Sequence, residues 1–249
     1  MSVLIVLPTY NESENIERIL GAIRSECDEA DVLVVDDGSP DGTAEIVERV
    51  ANELGRIELL RRGSKGGLGA AYRAGFRVGL SRGYSIIIEM DADFSHDPAR
   101  LNDLIAPVRA GEAELVIGSR YVPGGSTPDW PRKRRVISRT GNRYLRLMLR
   151  LPIQDATAGF RAYSATALEG IDLAKLQAGG YVFQVEMADQ IVRNGGRIKE
   201  VPITFHDRAY GNSKMSGKIV REAFWLVTKW GVRRRIASFR GQKRTSPNA

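Results

Sequence analysis

The sequence predicts an α/β domain built on an open, mostly parallel β-sheet that is flanked by helices. Two observations predict it: short apolar segments alternate with segments of helical period, and polar residues follow the apolar segments. The apolar segments are expected to be buried parallel strands, because no polar face alternates along them. They are Val3–Leu7, Val32–Val35, Ile57–Leu60, Ser85–Met90 and Leu115–Ser119. The helices expected between them are Asn15–Ile23, Thr43–Leu54, Gly69–Leu80 and Pro98–Val108.

The second half of the chain has a different pattern. A connection rich in Gly and Pro follows Tyr121 and leads to a basic helix, a loop, a helix, a strand and a long amphipathic helix. These are predicted at Ser138–Leu149, Gln154–Arg161, Phe183–Arg193, Ile198–Phe205 and Ser216–Arg235. A length of 249 residues fits one domain. We therefore expect a single domain over residues 1–240, with halves 1–121 and 122–240, and a disordered tail over residues 241–249.

The positive charge of the chain is regional. The net charge of +7 indicates an anionic partner, which is nucleic acid, a membrane surface or a phosphorylated substrate. The stretch from Trp130 to Gln154 contains no acidic residue, and from Arg208 onward Glu222 is the only one. The basic residues of that first stretch are Arg132, Lys133, Arg134, Arg135, Arg139, Arg143, Arg146 and Arg150.

Two classes of protein are excluded by composition. The single cysteine, Cys27, allows neither an internal disulfide nor a cysteine-based metal cluster, which fits a reducing compartment. No run reaches the roughly 18–20 consecutive apolar residues that a membrane-spanning helix needs. We therefore expect no integral membrane helix.

Polar residues follow four of the predicted strands, where open α/β sheets bind their ligands. They are Pro8-Thr9-Tyr10-Asn11-Glu12, Asp36-Asp37-Gly38-Ser39, Asp91-Ala92-Asp93 and Gly118-Ser119-Arg120. No G-x-G-x-x-G motif follows the first strand and no P-loop motif occurs, so NAD and P-loop chemistry fit poorly. The Gly-rich segment Gly63–Gly69 is either a loop that faces a phosphate or base, or a plain tight turn.

Asp91 and Asp93 give the strongest chemical signal. Two carboxylates one residue apart at the end of a strand can converge on one hard cation, and the small Ala92 between them lets a ligand approach. The alternative is a pair of solvated loop acids, but the preceding buried strand favours a divalent metal. The Asp36-Asp37 turn is either a simple turn or an acceptor for a base or ribose. His96 and His206 are too isolated for a zinc site and are expected to be structural.

Taken together, these motifs resemble the GT-A-fold glycosyltransferases of family 2. The motifs are Pro8–Glu12, Val35–Thr43, Asp91–His96, Gly118–Tyr121 and Gly159–Arg161. Three more motifs, Lys133–Arg139, Gly180–Glu186 and Arg208–Lys214, narrow the resemblance to the dolichol-phosphate mannosyltransferase (polyprenol monophosphomannose synthase) group. The resemblance runs from Ser2 to Trp230. It implies an enzyme that transfers mannose from GDP-mannose, with inversion, to a polyprenyl (dolichol-type) monophosphate and so makes a lipid-linked sugar.

The resemblance also implies a role for individual residues. The donor-nucleotide site would comprise Pro8, Tyr10, Glu12, Asp37, Ala92, Arg208 and Lys214. The acceptor-phosphate site would comprise Arg120, Arg134 and Ser138, and the metal site for Mg²⁺ or Mn²⁺ would comprise Asp91 and Asp93. The catalytic residues would then be Asp91, Asp93 and Arg120, with residues 1–121 binding the nucleotide sugar and residues 122–240 binding the acceptor. Ser95 stands where some relatives have a longer amide, which makes it a doubtful metal ligand.

The chemistry of these substrates fits the charge pattern. A phosphate monoester has a second pKa of about 6, so at neutral pH it is a nucleophilic dianion that needs no strong general base. A divalent ion neutralises the charge that develops on a departing diphosphate. Cations are still needed to bring two anions together, and the basic stretch around Arg134 supplies them. The alternative for that stretch is a solvated helix face.

Three other functions remain as alternatives. A nucleic-acid-binding protein would explain the charge, but acids at the strand ends would repel a phosphate backbone, so we expect no nucleic-acid partner. A nucleotidyltransferase would carry a Gly-rich signature with Arg and Lys after the first strand, where this chain has Pro8-Thr9-Tyr10. A related transferase that uses UDP-glucose or another donor is not distinguished by the sequence.

The predicted C-terminal helix indicates peripheral attachment to the cytoplasmic face of a membrane. Its apolar residues are Phe224, Trp225, Leu226, Val227 and Trp230, and its basic residues are Lys229, Arg233, Arg234 and Arg235. Such a helix can lie in the headgroup layer of an anionic bilayer. The alternative is that the aromatic residues pack on the core. The sequence does not tell whether a separate membrane-anchoring subunit takes part.

Overall fold

All five apolar segments of the first half are strands of one sheet in the structure, a computed structural model that describes residues 1–63, 66–176, 180–207 and 224–233. The strands are β1 (Val3–Thr9), β2 (Asp31–Asp36), β3 (Ile57–Arg61), β4 (Ile86–Glu89) and β5 (Leu115–Ser119). The helices between them are α1 (Ile16–Glu26), α2 (Thr43–Leu54), α3 (Leu68–Ser81) and α4 (Leu101–Arg109), the last preceded by a short 3-10 turn (Pro98–Arg100). The predicted βα alternation is confirmed.

The second half adds two strands and three helices, and residues 224–233 are helical. The elements are α5 (Arg132–Leu149), β6 (Arg161–Ser164), α6 (Ala165–Glu169), α7 (Gly180–Arg193) and β7 (Ile198–Pro202). The basic helix α5 therefore begins six residues before the predicted Ser138, directly after Pro131, a residue that favours helix starts. The remainder of the predicted helix Ser216–Arg235, and the tail 241–249, lie outside the described residues.

The sheet is mixed, with the order β3-β2-β1-β4-β6-β5-β7. Every pairing is parallel except those of β6, which runs antiparallel between β4 and β5. The sequence analysis predicted a loop over Gln154–Arg161 and missed the strand that begins at its end. The reason is physical: β6 reads Arg-Ala-Tyr-Ser, and its buried position follows from its neighbours in the sheet and not from an apolar pattern.

Two apolar layers enclose the sheet. Val3, Ile5 and Leu7 of β1 face a core formed with α1, α2 and α4, whereas Leu4 and Val6 face a core formed with α3, α5, α6 and α7. This alternation is the period of two that a strand buried on both faces requires. The sheet is therefore covered by helices on both sides and is exposed at the strand ends.

The order of the strands creates a crevice at one end of the sheet. After β1 the chain adds β2 and β3 on one side, and it then returns to pair β4 on the other side of β1. Loops diverge at such a switch point, and ligands of open α/β sheets bind there. The carboxyl ends of β1, β2, β4, β5 and β7 lie at this edge, as does the amino end of the antiparallel β6.

Close packing of α3 on β1 depends on glycine at position 75. A Cβ on Gly75 would lie 2.3 Å from Cγ1 of Val6. We therefore expect Gly75→Ala to lower the free energy of unfolding by about 1–3 kcal/mol, the usual cost of overpacking, although alanine is the better helix former. Urea-induced unfolding followed by circular dichroism measures the change.

Gly21 in α1 provides the matched control. No atom lies within 4 Å of the position that its Cβ would occupy. Gly21→Ala is expected to raise the free energy of unfolding by up to about 1 kcal/mol, because only helix propensity changes. If the Gly75→Ala variant were as stable as the Gly21→Ala variant, the proposed contact between α3 and β1 would be wrong.

Candidate active site

The turn after β2 is held by the carboxylate of Asp36. It accepts hydrogen bonds from Thr9 Oγ1 at 2.9 Å, from the backbone N–H groups of Gly38 and Ser39 at 3.0 and 2.9 Å, and from Ser39 Oγ at 2.5 Å. Four donors on one buried carboxylate fix the turn rigidly. Asp36 is thus a structural residue, and the neighbouring Asp37 is the acid that faces the crevice loops.

Asp37 connects this turn to the Gly-rich segment. Its carboxylate accepts from Arg62 Nη1 at 2.7 Å and from the backbone N–H of Gly66 at 3.0 Å. A Cβ on Gly66 would lie 2.3 Å from Arg62 Nη2, so a larger residue would disturb that ion pair. The Gly-rich segment therefore lies against the predicted nucleoside site and has a defined partner, beyond the role of a plain turn.

The loop after β1 is attached to the loop after β2. Three consecutive backbone N–H groups donate to side chains of the second loop, each at 3.0 Å: Asn11 to Ser39, Glu12 to Thr43 and Ser13 to Asp41. Tyr10 and Glu12 lie partly exposed at the rim of the crevice, and Glu12 Oε2 accepts from Asn15 Nδ2 at 3.0 Å. The predicted donor residues Pro8, Tyr10, Glu12 and Asp37 consequently belong to one wall.

The two aspartates after β4 lie in a constrained turn. Asp91 Oδ1 accepts from the hydroxyl of Tyr72 at 3.1 Å, and the Asp91 N–H donates to Nδ1 of His96 at 3.1 Å. Asp93 Oδ1 accepts from the backbone N–H of Ser95 at 3.0 Å. Between them and Ser95, Phe94 has a φ of +61°, a left-handed conformation that non-glycine residues rarely adopt. His96 thus has the structural role that the sequence predicted.

The donor set of this turn suits Mg²⁺ or Mn²⁺, because carboxylate oxygens are the ligands that hard divalent ions prefer. Asp93 is buried and Asp91 half-buried, so both are held in place before an ion binds. Within the described ranges, no group of three or more His, Cys, Asp or Glu residues could hold a metal ion. An ion at Asp91 and Asp93 would need further oxygen ligands, which substrate phosphates and water commonly supply to Mg²⁺.

A buried polar layer lies behind the metal-binding turn. Glu89 is fully buried at the end of β4, and burial raises its pKa to about 8, although the nearby Arg161 acts in the opposite direction. Tyr163 and Gln184 lie close enough to lower that pKa, yet among the described residues neither reaches hydrogen-bonding geometry with Glu89. Glu89 is an acid in an otherwise apolar strand, a signal that the sequence analysis overlooked.

Arg161 holds the loop before β6 and helix α7 against the sheet. Its guanidinium is fully buried and donates to three backbone carbonyls, those of Ala158, Gln184 and Ala156, at 2.7, 2.7 and 2.8 Å. Gly159 lies within this loop, and a Cβ there would be 3.9 Å from Asp91 Oδ2. Arg161 therefore positions the second wall of the metal site.

A second ion pair fixes the end of β5. Arg120 donates to Asp155 through Nε at 2.7 Å, through Nη2 at 2.6 Å and through its backbone N–H at 3.1 Å. Both side chains are buried, with 6% of Arg120 and none of Asp155 exposed. Burial by itself would raise the pKa of the Asp155 carboxyl, but the Arg120 guanidinium outweighs burial and holds that pKa below its ordinary value.

The predicted acceptor residues meet around one tryptophan. The guanidinium of Arg134 lies 4.0 Å from the ring centre of Trp130, and that of Arg120 lies 5.3 Å from it. Arg134 Nη1 also forms an exposed ion pair of 2.6 Å with Asp207. Ser138 accepts a hydrogen bond of 2.6 Å from the hydroxyl of Tyr121, which places it beside the same cluster.

Aromatic contacts connect the metal-binding turn to this cationic cluster. His96 stacks on Phe160 with ring centres 5.0 Å apart and makes an edge contact with Phe205 at 5.8 Å. Phe205 in turn contacts the edge of Trp130 at 5.5 Å. Contacting rings therefore connect the turn of Asp91 and Asp93 with the arginine cluster.

Comparison with known proteins identifies the family. The model of the family Glycosyl transferase family 2 matches residues 4–172, which is more than half of the chain. The chain belongs to glycosyl transferase family 2. It is 49% identical to a polyprenol monophosphomannose synthase of Mycolicibacterium smegmatis over 239 residues, covering 96% of this chain and 90% of that protein. It is 51% identical to an undecaprenyl-phosphate mannosyltransferase of Micrococcus luteus over 242 residues, covering 97% of this chain and 99% of that protein.

Solved structures share the fold of this family 2 chain. A glucosyl-3-phosphoglycerate synthase of Mycobacterium tuberculosis, solved with phosphoglyceric acid, has a TM-score of 0.67 and 23% identity over 92% of this chain and 79% of that one. The same enzyme solved with Mn²⁺, UDP-glucose and phosphoglyceric acid has a TM-score of 0.66 and 22% identity, with the same coverage. At this identity the likeness shows the fold, and it confirms the predicted α/β architecture.

Most residues predicted for the site of this glycosyltransferase lie at the same edge of the sheet. They are Pro8, Tyr10, Glu12, Asp37, Asp91, Ala92, Asp93, Arg120, Arg134 and Ser138. Arg208 and Lys214, predicted to close over the donor phosphates, lie outside the described residues. Ala92 is buried between the two aspartates, and Ser95 contributes its backbone N–H to Asp93.

Four residues around this glycosyltransferase site were not predicted as site residues from the sequence: Trp130, Asp155, Arg161 and Glu89. Asp155 had a detectable signal, because it is the first acid after the acid-free stretch that ends at Gln154. Arg161 stood within a motif already quoted, but its burial could not be read from the motif. Trp130 gave no signal of its own, since its role depends on two arginines from different elements.

Proposed function

We propose that this glycosyltransferase moves mannose from GDP-mannose to a polyprenyl monophosphate, with inversion at the anomeric carbon and with Mg²⁺ or Mn²⁺. The observation that carries the proposal is that contacting rings connect the turn of Asp91 and Asp93 to the arginine pair Arg120 and Arg134. A nucleotide sugar and a phosphate acceptor are both anionic, and such a site offers a separate partner to each. Two relatives near 50% identity, named for mannose and polyprenyl phosphate, support the choice of substrates.

The donor would lie along the crevice between β1 and β4. The loops around Tyr10, Glu12 and Asp37 would hold the nucleoside, with Arg62 and the Gly66 N–H keeping the Asp37 carboxylate oriented. Asp91 and Asp93 would hold the divalent ion and with it the diphosphate, and the ion would stabilise the negative charge of the leaving group. The Tyr72 hydroxyl orients Asp91 for this task.

The acceptor phosphate would bind on the arginine side. Its dianion is already a nucleophile at neutral pH, so the chain needs no general base. One phosphate oxygen forms a bond to the anomeric carbon as the bond from that carbon to the diphosphate oxygen breaks, and GDP leaves. Attack from the side opposite the leaving group inverts the configuration. Arg120 and Arg134 would offset the repulsion between the two phosphates, and Ser138 would donate to the acceptor.

A substrate panel tests the proposed function directly. The purified chain, Mg²⁺ and a short polyprenyl phosphate are incubated with radiolabelled GDP-mannose, UDP-glucose or UDP-N-acetylglucosamine, and the labelled lipid is counted. We expect transfer from GDP-mannose at a rate at least tenfold above that from either UDP sugar. Preferential transfer from UDP-glucose would overturn the donor assignment, and transfer from none would overturn the acceptor assignment.

Changes to the two aspartates test the metal site. We expect Asp91→Asn and Asp93→Asn each to lower kcat at least a hundredfold, because an amide binds a divalent cation far more weakly than a carboxylate does. Chelation with EDTA should abolish wild-type transfer until Mg²⁺ or Mn²⁺ is restored. Asp97→Asn is the matched control: Asp97 caps the turn at Pro98–Arg100, asparagine caps equally well, and activity should be unchanged. Full activity in EDTA would refute the metal site.

We also propose that the protein attaches peripherally to the cytoplasmic face of an anionic membrane. None of the helices in the described residues combines the length and the apolarity needed to cross a bilayer. Two of them carry exposed apolar side chains among basic residues: Val136, Ile137 and Leu147 on α5, and Phe224, Trp225 and Val232 on the helix 224–233. These helices contact each other, because Tyr144 stacks on Phe224 with ring centres 4.6 Å apart. The alternative that the aromatic residues pack on the core holds only in part, because Trp230 packs against the core while Trp225 is 62% exposed.

Co-sedimentation with liposomes tests this attachment. We expect the wild type to pellet with vesicles containing about a third anionic lipid at low salt and to be released by high salt, because each basic residue contributes ~1 kcal/mol at an anionic surface. The double variant Ile137→Gln/Trp225→Gln should lose most of this binding. Leu54→Gln, which removes an exposed apolar side chain from α2, is the control and should pellet normally. Equal pelleting of all three proteins would contradict the attachment through these helices.

A further inference from the structure

Trp130 occupies a position that its own packing does not explain. The side chain is nearly buried between the end of β5 and the start of α5, and its Nε1–H has no hydrogen-bond partner among the described residues. A buried tryptophan N–H usually finds a partner, and leaving it without one is costly. Phenylalanine would fill an apolar gap without that cost. The indole ring must therefore contribute something that a smaller apolar ring would supply less well.

The two guanidinium groups beside the ring supply the reason. Arg134 approaches the Trp130 ring centre to 4.0 Å and Arg120 to 5.3 Å, both within the range of cation–π attraction. Tryptophan has the strongest such attraction of the aromatic side chains. Arg120 directly follows β5 and Arg134 lies in α5, so the ring is a contact that two like charges share.

A ring holds an arginine in a different way from a carboxylate. Asp207 also binds Arg134, at 2.6 Å, but its charge neutralises the guanidinium and competes with an incoming anion. The ring face carries no net charge, so its contact with Arg134 does not compete with a phosphate that displaces Asp207 from this guanidinium. It also restricts a long, half-exposed side chain before the ligand binds, which lowers the entropy lost on binding.

We propose that Trp130 is a positioning residue for the acceptor phosphate: its ring holds Arg134 beside Arg120, which Asp155 already fixes, so that both arginines can serve a single phosphate group. The proposal rests on the proposed function, since it takes a phosphate monoester as the ligand of these arginines. Phe205 supports the ring from its edge and lies within 5.3 Å of the Arg120 guanidinium. Trp130 does not touch Asp91, Asp93 or the donor wall through any described contact, so its effect should be confined to the acceptor.

Steady-state kinetics of the full chain test the proposal, with GDP-mannose as donor and a short polyprenyl phosphate as acceptor. We expect Trp130→Leu to raise the acceptor KM roughly tenfold, which corresponds to about 1.4 kcal/mol, because the variant loses the cation–π contacts to both arginines. GDP affinity, measured by calorimetry, should change less than twofold. Trp130→Phe keeps a weaker ring and should raise the acceptor KM about threefold or less. Tyr84→Leu, which removes a ring at the opposite end of β4, is the control and should leave the acceptor KM unchanged.

Fluorination of tryptophan gives a second test that does not depend on folding of the leucine variant. Incorporation of 5-fluorotryptophan weakens the negative face of the ring and barely changes its size. We expect it to raise the acceptor KM of the wild type but not that of Trp130→Phe, in which only Trp225 and Trp230 are labelled. An equal response in both proteins would overturn the proposal.

The outcomes separate this proposal from the proposed function. If the wild type transfers no mannose to the polyprenyl phosphate, the proposed function fails, and the acceptor role of Trp130 fails with it. If the wild type transfers mannose and Trp130→Leu has an unchanged acceptor KM, only the role of Trp130 is wrong. If Trp130→Leu lowers GDP affinity by as much as it raises the acceptor KM, the proposal is likewise overturned, because that pattern indicates general structural damage.

Discussion

The buried ion pair between Arg120 and Asp155 is the interaction on which the proposed acceptor side of the site depends. Three hydrogen bonds join the two residues, and both side chains are almost completely shielded from solvent. The backbone N–H groups of Gln154 and Asp155 donate to the carboxylate of Glu200 on β7, at 2.7 and 2.9 Å. The pair therefore ties the end of β5, the loop before β6 and strand β7 into one unit. Removing one partner would leave a buried charge uncompensated, which costs about 3–5 kcal/mol.

The two arginines beside Trp130 have different roles. Arg120 is fixed by a buried carboxylate that a ligand cannot displace, and its position sets the geometry of the site. Arg134 is paired with Asp207 at the surface, where an ion pair contributes little and a phosphate dianion can replace the carboxylate. Trp130 contacts both arginines and so holds the exchangeable Arg134 at a defined position beside the fixed Arg120. The proposed acceptor site thus combines a rigid cation with an adaptable one.

On the wall that carries Asp91 and Asp93, the charged groups are negative, and they too are supported by buried residues behind them. Asp91 and Asp93 bring negative charge to the end of β4, and Glu89 lies fully buried behind them. Burial raises the pKa of Glu89 above its ordinary value, against the opposing effect of Arg161. Arg161 is also fully buried. It donates hydrogen bonds to three backbone carbonyls and so fixes the loop around Gly159. Both walls are supported from behind by a buried arginine.

The sequence predicted the first half of the fold well and the second half less completely. β1 to β5 are buried on both faces of the sheet, so their sequences are continuous apolar runs that can be recognised without a structure. β6 was not predicted, because it begins with Arg161. This charged side chain can be buried only because backbone carbonyls of α7 and of the preceding loop accept its hydrogen bonds. Among the site residues, the position of Asp91 and Asp93 at a strand end could be predicted from topology alone. Trp130 could not, and Asp155 was marked only as the first acid after the basic stretch, because each acts through arginines that the chain brings near only on folding.

A double-mutant cycle on the central ion pair tests this account most directly. The free energies of unfolding of the wild type, Arg120→Met, Asp155→Leu and the double variant are measured by urea denaturation. The account predicts that each single change lowers stability by about 3–5 kcal/mol, and that the double change costs less than their sum by at least about 2 kcal/mol, because the second change removes the charge that the first left unpaired. Additive losses, with a coupling below about 0.5 kcal/mol, would contradict the claim that this pair organises the acceptor side of the site.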